Sequence, residues 1–295
     1  MRTKTGTFTT KQSASAFERA YERAMALWPS PQEAFDVDTD VGMTRVYRHG
    51  VPDGDPIVLL HGHGGNASTW YALVEQLGRR RPVYAVDTID DPGGSIQTRP
   101  VRDTSAWLEQ VMEGLGLDRV HLVGHSYGGW MALGLGVSGT GRLATLTLLD
   151  PGGLLKVPKT FLAHLVAGAL AMQAPATWKP GLAKILAEHG LVERPEIMAP
   201  VILGSRWFRP HRLPTPPYID GELRKVNVPT QILVGGRSRL LRPAAALERA
   251  HRLIPDLERA EIVAGAGHGL PQERPELTIA RILTFADRPR GKDHD

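Results

Sequence analysis

A serine framed by glycines, Gly124-His125-Ser126-Tyr127-Gly128-Gly129, is the pattern in this chain best suited to covalent chemistry. The run before it, Arg119 to Val123 (RVHLV), is β-branched and apolar, as a buried strand is. The run after it, Gly128 to Val137 (GGWMALGLGV), is small and apolar, as a helix packed tightly on a sheet is. A tight strand-to-helix turn strains the backbone at Ser126, admits only glycine at Gly124 and Gly128, and lifts the hydroxyl out of the sheet's carboxyl edge. It also sets the N–H groups of a helix N-terminus beneath a developing oxyanion. The chemistry this suits is attack on a carbonyl carbon. A Gly-rich turn without chemistry is the plainer alternative, and the flanking strand and helix argue against it.

A neutral hydroxyl attacks poorly at pH 7 unless a base stands within hydrogen-bond reach. Of the 11 histidines, His268 follows the last apolar strand on a Gly-rich turn, Gly265-Ala266-Gly267-His268-Gly269. A second Gly-rich turn, His61-Gly62-His63-Gly64-Gly65, ends the apolar run Pro56 to Leu60 and lets backbone approach a substrate oxygen closely. Phosphate cradling is a weaker rival there, because the Gly-Lys-Ser/Thr of a P-loop is absent. Asp87, Asp90 and Asp91 crowd the turn that runs to Ser95. Their spacing does not match a calcium-binding loop, so the expectation is three solvated turn carboxylates.

The elements that must hold these residues alternate as buried strand and amphipathic helix. Pro56–Leu60 has no apolar–polar alternation, as expected of a parallel strand buried on both faces. Pro82–Val86, Leu143–Leu149 and Thr230–Val234 are further core strands, and Ala34–Tyr47 reads as a hairpin turning near Val41-Gly42. Helices are expected over Phe17 to Trp28, after Asn66 or Ser68, from Asp103 or Thr104 to Leu117, over Pro243–Ile254 and over Pro275–Phe285. The alternation breaks down between Leu154 and Leu223. There Phe161–Met172 is apolar nearly all round, Leu182–Leu191 looks like a second helix, and Pro195–Pro217 is proline-rich with scattered arginines. That insert, 154–223, reads as a lid over a core of 1–153 and 224–295, with 1–12 a polar, frayed tail. Its basic residues, Lys156 and Arg206 among them, read as a solvated face rather than an anion site.

Composition narrows the function. A chain of 295 residues with 42% hydrophobic and 22% charged residues fits one soluble α/β domain with an insertion. It has no cysteine, which rules out disulfides, thiolate metal sites and a cysteine nucleophile, and fits a reducing, cytoplasmic setting. The net charge of +4 comes without a basic patch interleaved with aromatics, so nucleic acid is not an expected partner. The first residues carry no secretory pattern, and the longest apolar run, Leu162–Ala174, is too short to span a bilayer.

Together, HGHGG at 61–65, GHSYGG at 124–129 and GAGHGLPQERPE at 265–276 resemble the α/β-hydrolase superfamily of serine hydrolases, from about Asp36 to Phe285 apart from the lid. WPSPQEAFDVDT, VYAVDTIDDPGGS and LRKVNVPTQILVGG are similar to a bacterial carboxylesterase-like branch of it. The resemblance implies the α/β-hydrolase fold, an eight-stranded, mostly parallel sheet flanked by helices. It implies a catalytic triad with Ser126 as nucleophile and His268 as its base. The oxyanion donors it implies are the backbone N–H groups of His63 and Tyr127.

The acid departs from the family. Most members carry it a few residues past the strand equivalent to Ile232–Val234, but Gly235 to Arg242 (GGRSRLLR) holds no carboxylate, and Ser238 stands in the acid's place. Part of the superfamily uses the end of the preceding strand, where Asp150 sits, and the order Ser126, Asp150, His268 is the superfamily's own. A Ser–His dyad is the alternative. The expected reaction is hydrolysis of a small-molecule ester through an acyl-enzyme, with no metal or organic cofactor. A serine nucleophile argues against epoxide hydrolase or dehalogenase chemistry, which needs a carboxylate there. Rivals are acyl transfer to another acceptor (thioesterase, cyclase or acyltransferase), lyase chemistry, and a binding protein that kept the fold and lost turnover. The oligomeric state and the particular substrate are not legible in the sequence.

Overall fold

The computed structural model describes residues 5–288 except 31, 159, 162–166, 168–170, 172–173, 176, 179–180, 182–193 and 212–213. The expected helices Phe161–Met172 and Leu182–Leu191 lie mostly or wholly outside the described residues, as do Leu165 and Met172.

A short strand, β1 (Thr7–Phe8), leads into helix α1 (Lys11–Met25), whose first turn is capped by Thr10 and Ser13 in a reciprocal box. The hairpin β2 (Gln32–Thr39) and β3 (Gly42–His49) follows, then β4 (Ile57–Leu60). Asn66 caps a 3₁₀ turn that runs into α2 (Tyr71–Gly78), followed by β5 (Val83–Val86), the two-residue β6 (Ile96–Gln97) and α3 (Thr104–Gly114), capped by Asp103. Strand β7 (Val120–His125), helix α4 (Tyr127–Ser138) and strand β8 (Leu143–Leu149) form the centre. The insert holds α5 (Pro195–Trp207) and β9 (Phe208–Arg209), and after it come β10 (Thr230–Gly235), α6 (Pro243–Leu253), β11 (Leu257–Val263) and α7 (Pro275–Ala286).

The sheet runs β11-β10-β8-β7-β4-β5-β3-β2, the eight strands expected, with β6 added beside β3. From β11 to β5 every pairing is parallel, and β3 and β2 are antiparallel. Such a sheet needs apolar cover on both faces, which explains the unbroken apolar strands. One face is buried against α3, α4 and α6, through Trp107, Met131, Leu133 and Leu247, and the other against α1, α2 and α7, through Phe17, Leu73 and Ile282. The order in which the chain adds strands reverses between β4 and β7, and the carboxyl edge at such a reversal is the usual place for a site in an open α/β sheet.

One expectation needs correction. Thr7 and Phe8 are not part of a frayed tail: β1 pairs with β9, and the Phe8 ring packs on Phe17 and Phe208 at 4.9 and 5.1 Å between centroids. The first part of the proline-rich stretch is helix α5, with Pro195 in its first turn and Pro200 within it. It lies on the core: a Cβ at Gly204 would stand 2.6 Å from Pro92 and 3.9 Å from Phe17. The insert's ends are drawn together by Arg249 on α6, which donates to the carbonyls of Leu154 and Tyr218 and pairs with Asp220 at 2.7 Å.

Candidate active site

The site begins with β7 stopping abruptly. Ser126 follows it at φ 54° and ψ −109°, a region disfavoured for any residue with a Cβ, and α4 starts at the next residue. Two close approaches hold the turn. A Cβ at Gly128 would stand 2.2 Å from the Leu60 carbonyl oxygen, and one at Gly124 would stand 2.3 Å from the Gly128 oxygen. Backbone bonds complete it, with Ser126 N–H donating to Leu149 O at 3.1 Å and Gly128 N–H to His61 O at 3.1 Å. The elbow is therefore tied to the ends of both neighbouring strands, β8 and β4.

The structure brings Ser126, His268 and Asp150 into one line. The Ser126 hydroxyl lies 2.9 Å from His268 Nε2, and His268 Nδ1 lies 2.5 Å from Asp150 Oδ2. Asp150 is fully buried and follows β8 at φ 44°, the other non-glycine residue at positive φ among those described. Its Oδ1 accepts from Gly235 N–H at 3.0 Å and its Oδ2 from the Ser238 hydroxyl at 2.6 Å. A buried carboxylate is stable only when its oxygens are met by donors, and three meet this one. An ionised Asp150 takes the proton-bearing Nδ1 as donor. Nε2 is then the bare nitrogen, able to accept from Ser126. Ser238, at the position where the family's acid usually sits, is joined to Asp150 rather than to His268.

Two further histidine contacts were not foreseen. His125 donates from Nε2 to the His268 carbonyl at 2.8 Å, anchoring the histidine loop to the elbow. Burial holds its pKa down near 4, so the ring is neutral at neutral pH. The Phe161 ring meets the His268 ring edge to face at 5.2 Å, so the insert reaches the line of Ser126, His268 and Asp150. The elbow motif signalled neither contact, since the first depends on a loop 143 residues away.

His63 and Tyr127, the expected oxyanion donors, lie side by side with ring centroids 6.2 Å apart. Gly62 presses on the elbow, where a Cβ would stand 3.2 Å from Ser126 Cβ. Tyr127 is the first residue of α4. The expectation of solvated carboxylates at Asp87, Asp90 and Asp91 is wrong: their exposures are 0%, 1% and 2%. Asp87 accepts from Tyr21 OH at 2.6 Å, Ala67 N–H at 2.7 Å and Gly94 N–H at 2.6 Å. Asp90 accepts from Tyr127 OH at 2.5 Å and Asp91 from Gly64 N–H at 2.9 Å. Desolvation raises all three carboxyl groups, Asp90 to about 6 and Asp91 well above the usual range. Among the described residues, no group of three or more His, Asp or Glu is arranged to hold a metal ion, and no helix is long and apolar enough to cross a membrane.

Comparison with known proteins agrees on one family. The profile of the "Alpha/beta hydrolase family" matches residues 57–281. "Carboxylesterase YbfK" of Bacillus subtilis (strain 168) is 30% identical over 293 residues, covering 94% of this chain and 96% of that protein. The same organism's "Uncharacterized carboxylesterase nap" is 29% identical over 290 residues, covering 93% of each. Among solved structures, naproxen esterase (carboxylesterase NP) from Bacillus subtilis superposes with a TM-score of 0.83 at 26% identity, covering 94% of this chain and 99% of that one.

Proposed function

The chain belongs to the alpha/beta hydrolase family, and from that premise we propose that it is a carboxylesterase with Ser126 as nucleophile, His268 as general base and Asp150 as the acid of its triad. The observation that carries the reading is the unbroken line of 2.9 and 2.5 Å contacts from serine through histidine to a buried carboxylate. Similarity to carboxylesterases over nearly the whole length of both chains supports ester hydrolysis over the other acyl transfers that the fold allows.

In this mechanism His268 Nε2 takes the Ser126 proton as Oγ attacks the ester carbonyl. Asp150 keeps the Nδ1 proton in place and stabilises the imidazolium that forms, without taking the proton itself. The carbonyl oxygen gathers charge between the backbone N–H groups of His63 and Tyr127, which need no reorganisation to meet it. His268 returns its proton to the leaving alkoxide, an acyl-enzyme remains on Ser126, and water repeats the sequence to release the acid. The insert 154–223 is the lid, with Phe161 the residue through which it meets the site.

Turnover of p-nitrophenyl esters of graded chain length and labelling by a fluorophosphonate test the reading. Ser126→Ala is expected to lose both with little change in melting temperature. Substantial residual turnover in that variant would refute a serine esterase. Wild-type protein that neither labels nor turns over any ester would favour a binding protein on the same fold.

A further inference from the structure

The turn after β5 carries more contacts to the proposed oxyanion hole than a connecting loop requires. Four successive features of it grip the two segments that supply the donors. Thr88 N–H donates to His61 Nε2 at 3.1 Å, which makes Nδ1 the protonated nitrogen, donating to the Gly62 carbonyl at 2.9 Å. Asp87 Oδ1 accepts from Ala67 N–H, at the far end of the His61–Gly65 turn. Asp91 Oδ1 accepts from Gly64 N–H, the amide directly after His63. Asp90 Oδ2 accepts from the Tyr127 hydroxyl on the elbow side.

We propose that the adjacent Asp90 and Asp91 are positioning residues that fasten the two halves of the oxyanion hole to each other, Asp91 through the Gly64 amide and Asp90 through the Tyr127 hydroxyl. The inference rests on the esterase reading above. Gly64 has φ 72°, and a Cβ built there would meet nothing within 4 Å, so no side-chain packing at this position fixes the peptide that precedes it. Gly65 N–H donates to Gly62 O at 3.0 Å and closes the turn across His63 and Gly64, so what the Asp91 acceptor adds is the position of that turn; a shift of an ångström or so on its loss is enough to cost on the order of 10²-fold in rate. Consecutive residues in one buried turn set the separation of the two donors by covalent geometry, more rigidly than side chains from separate elements would.

Two ionised carboxylates here would repel the oxyanion they help to hold. Burial raises both groups and repulsion from Asp90 raises Asp91 further, which keeps a proton on the pair and limits that penalty. A protonated carboxyl still offers a carbonyl oxygen to Gly64, and an amide offers the same. The acceptor, not the charge, is what the role requires.

The test uses full-length enzyme, with sites counted by fluorophosphonate titration so that misfolded protein does not enter kcat. Labelling and ester turnover by wild type establish the esterase reading first; their failure would sink that reading, not this one. Given an active wild type, Asp91→Ala is expected to lower kcat by on the order of 10²-fold with KM changed by less than about threefold, and to weaken an alkyl trifluoromethyl ketone, which forms a tetrahedral oxyanion adduct, in proportion to kcat/KM. Asp91→Asn is expected to restore kcat to within about threefold of wild type, since its oxygen replaces the acceptor. Tyr127→Phe, which removes only the hydroxyl, tests the Asp90 half in a variant that keeps its packing; about a tenfold fall in kcat at unchanged KM is expected. Wild-type kcat per titrated site in Asp91→Ala or in Tyr127→Phe, with only the melting temperature lowered, would overturn the proposal in favour of a purely structural turn. Equal losses in Asp91→Asn and Asp91→Ala would overturn the acceptor argument.

Discussion

Asp150→Asn tests the proposed acid with the least disturbance of shape. In the native site Oδ1 meets the Gly235 amide, while Oδ2 meets both Ser238 and His268, so every neighbour is a donor. An asparagine can satisfy only one side. If its oxygen faces Gly235, its NH₂ faces His268 Nδ1, which must then be bare. That forces the proton onto Nε2, and Nε2 can no longer accept from Ser126. If the amide turns over, its NH₂ faces the buried Gly235 N–H, leaving a donor against a donor at a cost of about 1–3 kcal/mol. The wrong tautomer dominates in the first case and the site is destabilised in the second. A triad that loses its carboxylate in this way loses on the order of 10⁴-fold in kcat, or about 5 kcal/mol of transition-state stabilisation. Steady-state kinetics on a p-nitrophenyl ester, normalised to titrated sites, would read it. Ser238→Asp in the Asp150→Asn background is expected to recover part of the loss, because Ser238 already lies beside the same carboxylate. Activity within about tenfold of wild type in Asp150→Asn alone would refute the triad and leave a Ser–His dyad, since an orienting carboxylate is worth far more than that.

Other consequences follow from single contacts. Gly128→Ala forces a Cβ to 2.2 Å from a strand carbonyl that cannot move, so a loss of about 3 kcal/mol or more is expected in chemical denaturation, and wild-type stability would refute the packing argument. Buried His121, held near 4 from a usual 6.5 mainly by desolvation, stays neutral in the fold while the unfolded chain protonates first. Its stability contribution is therefore complete above pH 6.5 and is lost as pH falls from 6.5 towards 4, by about 3 kcal/mol. His121→Asn should flatten the pH dependence of unfolding in that window, and an unchanged slope would show that other groups carry it. Phe161→Ala should alter preference among acyl chain lengths more than it lowers turnover of the smallest ester; equal loss on every ester would instead mark Phe161 as a support of His268.

What could be read from the chain, and what could not, divides by the range of the interactions that decide each feature. Strands β4, β5, β7, β8 and β10 announce themselves because a strand buried on both faces is mostly apolar without strict alternation, which is a local fact. The elbow is equally local: glycines at 124 and 128 are demanded by atoms a few residues away and by one neighbouring strand. Asp150 was implied by the resemblance, as the position part of the superfamily uses when 235–242 holds no carboxylate, but its bond to Ser238 spans 88 residues and had no local sign. Phe8 looked like tail because its partner Phe208 lies 200 positions on. The aspartates of the β5 turn are the sharpest case. Nothing in DTIDDPGGS distinguishes solvated carboxylates from buried ones, because most of the donors that make burial tolerable, those of Tyr21, Gly64, Ala67 and Tyr127, lie outside the turn, with Thr88 and Gly94 inside it. A carboxylate enters a core when several separate segments each bring it a donor, and segments that share such an acceptor cannot move independently. The turn most easily dismissed as solvent-facing is thereby the one through which α1, the HGHGG turn and the nucleophile helix are held in register.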